Sequence, residues 1–466
     1  MHRLQVELFL CALSLTAKSV SSAYTALTMT TTTARQPCLL WLAAQEGCIA
    51  KVTHLLSTAE PDTFDIRKAL LISACNDHVD VMVALLERAR AHTVCADGFE
   101  LLHTAARCGS TRTVHALMLA RPADDPDHVL NWNYVVTAAK HGHVDTVKVL
   151  VANGADVNGT NAPLRAAAEE GHVDVASFLL DAKAAVDKPP KYEYWPPLLA
   201  AARNARWSMV EFLVQRGAAV DIKSENTGST ALFFAAQYGH RATAALLLRS
   251  KTAVDGVDCR SVPLAAAVQV GNVAVTSLLL RHGANVDKEG RPSGKTPLFY
   301  AAAIERRYTQ PARAMQLARI EAARLLLDRG ASIHHVDACG KTALSYVCAL
   351  GYTEIAEMLL DRKAAVDHAD HDQMTPLIHA ASGDHECTAR LLVRHGANIE
   401  WARAEGGPPL AHAVANDNES VAQFLVNCKA STECRGFGGS TLLDLALTTS
   451  SSMASLILSW DRDDAW

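Results

Sequence analysis

Residues 138–159 read AAKHGHVDTVKVLVANGADVNG and residues 167–187 read AAEEGHVDVASFLLDAKAAVD, so Gly142-His143-Val144-Asp145 returns as Gly171-His172-Val173-Asp174, 29 residues later. Each copy has four parts: a small-residue segment, a Gly-His break, an apolar segment at helical spacing (Val175, Ala176, Leu179), and a closing Ala-Asp-Val-Asn or Ala-Ala-Val-Asp. Glycine suits the left-handed residue that ends a helix. The copies therefore predict a helix, a turn, a second helix and a finger loop, repeated.

The copies extend in both directions. The residues opening each first helix are Leu40, Leu71, Leu102, Val135, Leu164, Leu198, Leu232, Leu264, Leu298, Leu344, Leu377, Leu410 and Leu442, with gaps of 31, 31, 33, 29, 34, 34, 32, 34, 46, 33, 33 and 32. Thirteen repeats thus fill residues 38–459. Thr375-Pro376-Leu377-Ile378-His379-Ala380-Ala381 and Gly283-Ala284-Asn285-Val286-Asp287 carry a resemblance to the ankyrin-repeat family, whose pattern runs T-P-L-H-x-A-A, G-H, an apolar helix and G-A-x-V-N/D. The resemblance implies an all-α ankyrin solenoid in which neighbouring repeats share one core, a setting inside the cell, and a function in protein recognition.

Composition agrees with close-packed helices. The chain of 466 residues is 49% hydrophobic but only 6% aromatic, so its apolar share is mostly alanine and leucine. Its formal net charge of -5 supplies no general attraction to nucleic acid or to an anionic membrane. Twelve cysteines occur without a Cys-x-x-Cys pair. Cys75, Cys108 and Cys348 fall inside expected helices, where free thiols act as small apolar side chains, and a reducing compartment is the simpler reading.

Residues 1–37 stand outside the repeats. His2 and Arg3 precede the apolar run Leu8 to Leu15, and Ser21-Ser22-Ala23 suits a signal-peptidase site, which leaves a secreted protein as the alternative to a cytoplasmic one. The apolar run is too short for a membrane span. Met29 resembles a second start, and the sequons at Asn158 and Asn418 matter only if the chain is exported. Residues 38–130 form degenerate repeats with proline-bearing connectors, 131–440 the regular array, and 441–466 a capping repeat and tail.

Within the regular array, Thr296-Pro297 and Thr375-Pro376 are expected to start first helices, the hydroxyl capping free amides while proline occupies the first turn. Gly142, Gly171, Gly239, Gly271 and Gly351 end first helices. Gly154, Gly217, Gly283, Gly330 and Gly396 end second helices, but Lys183, Lys251, Lys363 and Lys429 stand in their place in repeats five, seven, ten and twelve. A left-handed lysine costs on the order of 1 kcal/mol relative to glycine. These lysines read as solvated side chains rather than an anion site. Repeat nine carries an insertion at 305–319, containing Arg306, Arg307, Tyr308 and Arg313, which is either binding surface or tolerated filler.

No constellation for catalysis emerges. Gly290-Arg-Pro-Ser-Gly294-Lys295-Thr296 has three residues between its glycines where a phosphate loop needs four, and Gly340-Lys341-Thr342 repeats its ending in the next repeat. Most of the histidines sit where the repeat explains them, and the spacing of a zinc site is missing. The expectation is a non-enzymatic module without cofactor or metal, binding one or more proteins rather than nucleic acid or a small-molecule substrate. Its binding residues are expected in repeats five to nine: Tyr192, Tyr194 and Trp195 in the finger after repeat five, then Phe234, Tyr238, Arg291, Tyr300 and Tyr308. Aromatics on a presented loop act either as partner anchors or as cover for their own fold.

Overall fold

The computed structural model describes residues 35–58, 61, 63–91, 98–119, 133–159, 162–187, 195–258, 260–302, 313–401 and 407–463. Its fold class is the expected one, an all-α repeat solenoid. Twenty-six α-helices occur among the described residues, and each of the thirteen marker positions lies in the first helix of a consecutive pair. The described residues also contain two isolated bridges, Gly290 with Lys295 and Arg435 with Thr441, and no longer strand. By contacts the chain divides into two compact bodies: the described residues up to Pro163 with Asp174–Lys183, and Leu164–Val173 with those from Ala184 onward.

Alanine pairs decide how closely the first helices pack. Ala138, Ala139, Ala167, Ala168, Ala201, Ala202, Ala235 and Ala236 are all wholly or almost wholly buried, as are Leu198, Leu232 and Leu264. In repeat two the core position is taken by Leu70, with Leu71 only partly buried, so the first two spacings are one residue off the sequence estimate. The alanine pair fixes the register. Ser73-Ala74 aligns with Ala105-Ala106 and places Leu70 opposite Leu102.

Two left-handed residues punctuate each regular repeat whose helix ends are both among the described residues. Gly142, Gly171, Gly239, Gly271 and Gly351 have φ of 80, 88, 71, 70 and 74° after first helices. After second helices the four lysines adopt the same conformation as the glycines, with φ of 69, 61, 70 and 67° at Lys183, Lys251, Lys363 and Lys429. All four are exposed, so each bears the backbone cost without a compensating side-chain burial.

A second rule links repeats through the end of the first helix. His78, His143 and His385 place Nε2 at 3.1, 2.9 and 3.2 Å from the carbonyls of Gln45, Arg107 and Ala349, each in the preceding repeat. Elsewhere Asn418 donates to Ala381 O at 2.7 Å, Arg206 to Glu169 O at 3.3 Å and Arg319 to Gln269 O at 2.6 Å. The ring needs room beneath it. A Cβ on Gly109 would lie 2.5 Å from His143 Nδ1, and one on Gly351 would lie 2.5 Å from His385 Nδ1. Where the left-handed residue is aspartate, the residue above it is small at two junctions: Asp77 lies under Ser110 and Asp417 under Ser450, whose hydroxyl donates to Asp417.

The fingers are tied by carboxylates. Asp221, Asp255, Asp287 and Asp367 accept from the backbone N–H of Ala253, Asn285, Ser332 and Asn398 in the following repeat at 2.8 to 2.9 Å. The acidic residue closing the repeat pattern thus satisfies an amide that the next finger would otherwise leave exposed.

Two further expectations need correction, those for Thr296 and for Cys75 with Cys108. Thr375 caps its helix by accepting from Ile378 N, but the buried Thr296 hydroxyl makes no such bond, because the amide of Phe299 donates instead to the Thr296 carbonyl. The last part of the insertion at 305–319 is helical. Arg313–Asp328 is one helix of 16 residues, so 313–319 prolongs the second helix, and Arg319 is buried by packing back toward Gln269. Cys75 and Cys108 are joined in a disulfide rather than being separate thiols, because two first-helix ends bring their Cα atoms to 5.2 Å. Tyr308 and the rest of 303–312 lie outside the described residues.

Candidate protein-binding face

Trp195 stands just before the first helix of repeat six, Pro197–Arg203, where the equivalent positions of the next repeats carry Ser229, Ser261, Lys295 and Lys341. It is half-buried. Its ring centroid is 5.9 Å from that of Phe234, and the Arg203 guanidinium lies 4.8 Å above it, so the indole is held between a ring and a cation. Phe234 is buried and meets Phe233 edge-on at 5.6 Å.

Tyr238 lies one helical turn beyond Phe234 and is 54% exposed, the most accessible described aromatic among the expected binding residues. Its hydroxyl donates to Arg203 O at 2.9 Å, and its ring meets Trp207 edge-on at 5.8 Å. Arg203 therefore connects Trp195 with Tyr238. On the turn side Trp207 stacks on His240 at 4.7 Å, and these two with Arg206 and Glu170 border a hollow of about 500 Å3.

The other expected residues lie farther along. Arg291 is exposed on its finger, and Tyr300 is half-buried with its hydroxyl against Gly290 at the finger base. In that finger Gly290 N donates to Lys295 O and Gly294 N to Gly290 O, both at 2.9 Å, so these amides close the turn. Tyr192 and Tyr194 lie outside the described residues, as does Tyr308.

Reading for aromatics on loops missed a polar network in repeats nine to eleven. Phe234, Tyr300, Tyr346 and His379 each stand four residues after a threonine that precedes the first helix, a recurrence visible in the sequence. Tyr346 donates to Asp337 at 2.8 Å and lies 4.6 Å beneath Lys295 Nζ. Burial, followed by the Asp337 bond and charge, raises its phenol well above the ordinary range. His379 Nε2 is 2.9 Å from Asp370, and Lys341 Nζ is 3.8 Å from the same carboxylate. Burial outweighs Asp370 and lowers the pKa of His379, which favours the neutral ring donating to the carboxylate.

Among the described residues, no group of three or more His, Cys, Asp or Glu could hold a metal ion, and no helix is long and apolar enough to cross a membrane. Asn418, in one of the two sequons, is nearly buried and spends its amide on Ala381, and Asn158 donates to Lys183 O at 3.0 Å. The network of repeats nine to eleven is a set of hydrogen bonds around finger turns.

The family described as “Ankyrin repeats (3 copies)” matches residues 40–128, 183–259 and 312–402. “Ankyrin repeats (many copies)” matches 135–180 and “Ankyrin repeat” matches 259–291. Among similar curated proteins, “Ankyrin repeat and KH domain-containing protein mask-1” of Caenorhabditis elegans is 28% identical over 61% of this chain and 11% of its own length. “Ankyrin repeat protein nuc-2” of Neurospora crassa is 26% identical over 54% of this chain and 25% of its own. The “Probable E3 ubiquitin-protein ligase XBOS32” of Oryza sativa is 29% identical over 24% of each. The chain spans a quarter or less of the length of these relatives.

Proposed function

The chain belongs to the ankyrin-repeat family, and from that premise we propose that it binds a partner protein through the concave side of the array, where fingers and first helices meet in repeats five to nine. It acts there noncovalently, as an adaptor, scaffold or stoichiometric inhibitor, in the cytoplasm. The observation that carries this reading is the Trp195, Arg203, Phe234 and Tyr238 cluster. Trp, Tyr and Arg dominate the energetics of protein interfaces. Here the indole is already ordered by its neighbours, so docking freezes little additional freedom. Arg291 and Tyr300 extend the same side, and Tyr192, Tyr194 and Tyr308 are assigned to it by sequence.

A second reading has one observation in its favour. The Cys75–Cys108 disulfide suits a binding protein that works outside the cell. Against it, Cys48, Cys339, Cys348, Cys387, Cys428 and Cys434 are free.

Capture of partners by the full chain, followed by hydrogen exchange of the purified complex, tests the assignment. Protection is expected in 195–203, 231–238 and 288–300. Protection confined to second helices would overturn the proposed face.

A further inference from the structure

We propose that Cys75 and Cys108 form a reversible thiol–disulfide site that locks repeats two and three together, closed by a low-molecular-weight disulfide such as oxidised glutathione and opened by the corresponding thiol. The two cysteines end successive first helices, Thr63–Cys75 and Gly98–Cys108, and a Cα separation of 5.2 Å is one a disulfide spans without backbone movement. This junction lacks the link its neighbours have. His78 and His143 reach back to carbonyls on either side of it, whereas here Ser110 donates its hydroxyl to Cys75 O at 2.8 Å, and Asp77 accepts from Thr113 N at 2.7 Å and Arg112 N at 3.3 Å. Asp77, left-handed at φ 59°, stands where other junctions have the glycine that lies under the ring. A covalent bond stands where the histidine link is missing.

Access and chemistry agree with a reversible site. Both cysteines are half-buried, whereas Cys348 is wholly buried. Each sits at a helix C-terminus, whose exposed carbonyls disfavour a thiolate. A dithiol whose thiolates gain no such support leaves the disulfide the favoured form. In the closing reaction one cysteine thiolate attacks glutathione disulfide, breaking its S–S bond and releasing one glutathione thiolate. The second cysteine thiolate then attacks the protein sulfur of the mixed disulfide and releases the other. Two electrons pass from the cysteine pair to glutathione, and the two protons end on the released thiols.

The bond closes a loop with a sequence separation of 33 and so restricts the unfolded chain. Its effect reaches repeat four, because Arg107, adjacent to Cys108, gives its carbonyl to His143.

The test uses the full chain, equilibrated with oxidised or reduced glutathione, acid-trapped, alkylated and mapped by mass spectrometry. Oxidised glutathione should give a Cys75–Cys108 cross-linked peptide, and reduced glutathione should leave both residues alkylated. The thermal midpoint of the body that contains repeats two and three should fall by roughly 5–10 °C on reduction of the wild type. In Cys75→Ser/Cys108→Ser it should stay at the reduced value in both buffers. Two alkylated thiols after oxidation would overturn the proposal, as would an equal midpoint shift in wild type and double variant. The peptide map requires only the wild type, so a variant that fails to fold leaves the test intact.

Discussion

Asp370→Ala will lower the stability of the second body by about 3 kcal/mol, read as a shifted midpoint in urea unfolding. Asp370 is 2% exposed. One carboxylate oxygen accepts from Asp372 N and Met374 N at 3.0 and 2.9 Å, closing the finger turn, and the other accepts from His379 Nε2 at 2.9 Å. Alanine removes the acceptor of these three bonds and the carboxylate facing the Lys341 ammonium, at a position that is almost wholly buried. Asp370→Asn should cost about 1 kcal/mol, because the amide oxygen still serves the two turn amides. The two variants separate turn closure from charge. Equal losses would mean that charge, not the turn, sets the effect.

Gly109→Asp carries the second large effect. A Cβ there would overlap the His143 ring, and the residue sits at φ 78°. Left-handed backbone costs about 1 kcal/mol, the displaced His143 bond about 1, and overpacking the remainder, for a loss of about 3 kcal/mol. Adding His143→Ser should restore about half of it, because that pair reproduces the native Asp77 with Ser110 and Asp417 with Ser450. Additive losses in the double variant, measured by the same unfolding cycle, would show that the two positions are not coupled as the contacts imply.

These two sites show which parts of the molecule could be read from its residues. Gly142-His143 and its echo at Gly171-His172 place the helix ends because a left-handed break has a narrow residue preference. The reach of His143 to Arg107 was hidden, since a hydrogen bond to a backbone carbonyl leaves no mark on the residue that accepts it. Asp370 was hidden for the same reason. Its two turn partners are amides, though the five-residue spacing to Thr375 recurs from Asp337 to Thr342 and was a usable signal.

The disulfide and the insertion failed to show for different reasons. Cys75 and Cys108 lie one position apart in repeat register, so alignment alone does not pair them; the meeting of two helix ends does. Arg313–Asp328 is helical because Met315, Leu317 and Ala318 continue good helix formers into Ile320, whereas spacing between repeats records only that residues were added. The face was partly legible. Trp195 stood out because the repeat does not require it, but its contacts with Arg203 and Phe234 depend on how neighbouring first helices pack.

The proposed partner face is the finger and first-helix side of repeats five to nine, with its anchors in the Trp195, Arg203, Phe234 and Tyr238 cluster. The most direct measurement is titration of the captured partner against wild type and Tyr194→Ala/Trp195→Ala, with thermal unfolding of both chains. A loss of affinity of roughly 2 kcal/mol or more, with the thermal midpoint little changed, is the predicted result. Unchanged affinity with a lowered midpoint would contradict it, showing that Trp195 packs against Arg203 and Phe234 for the fold alone.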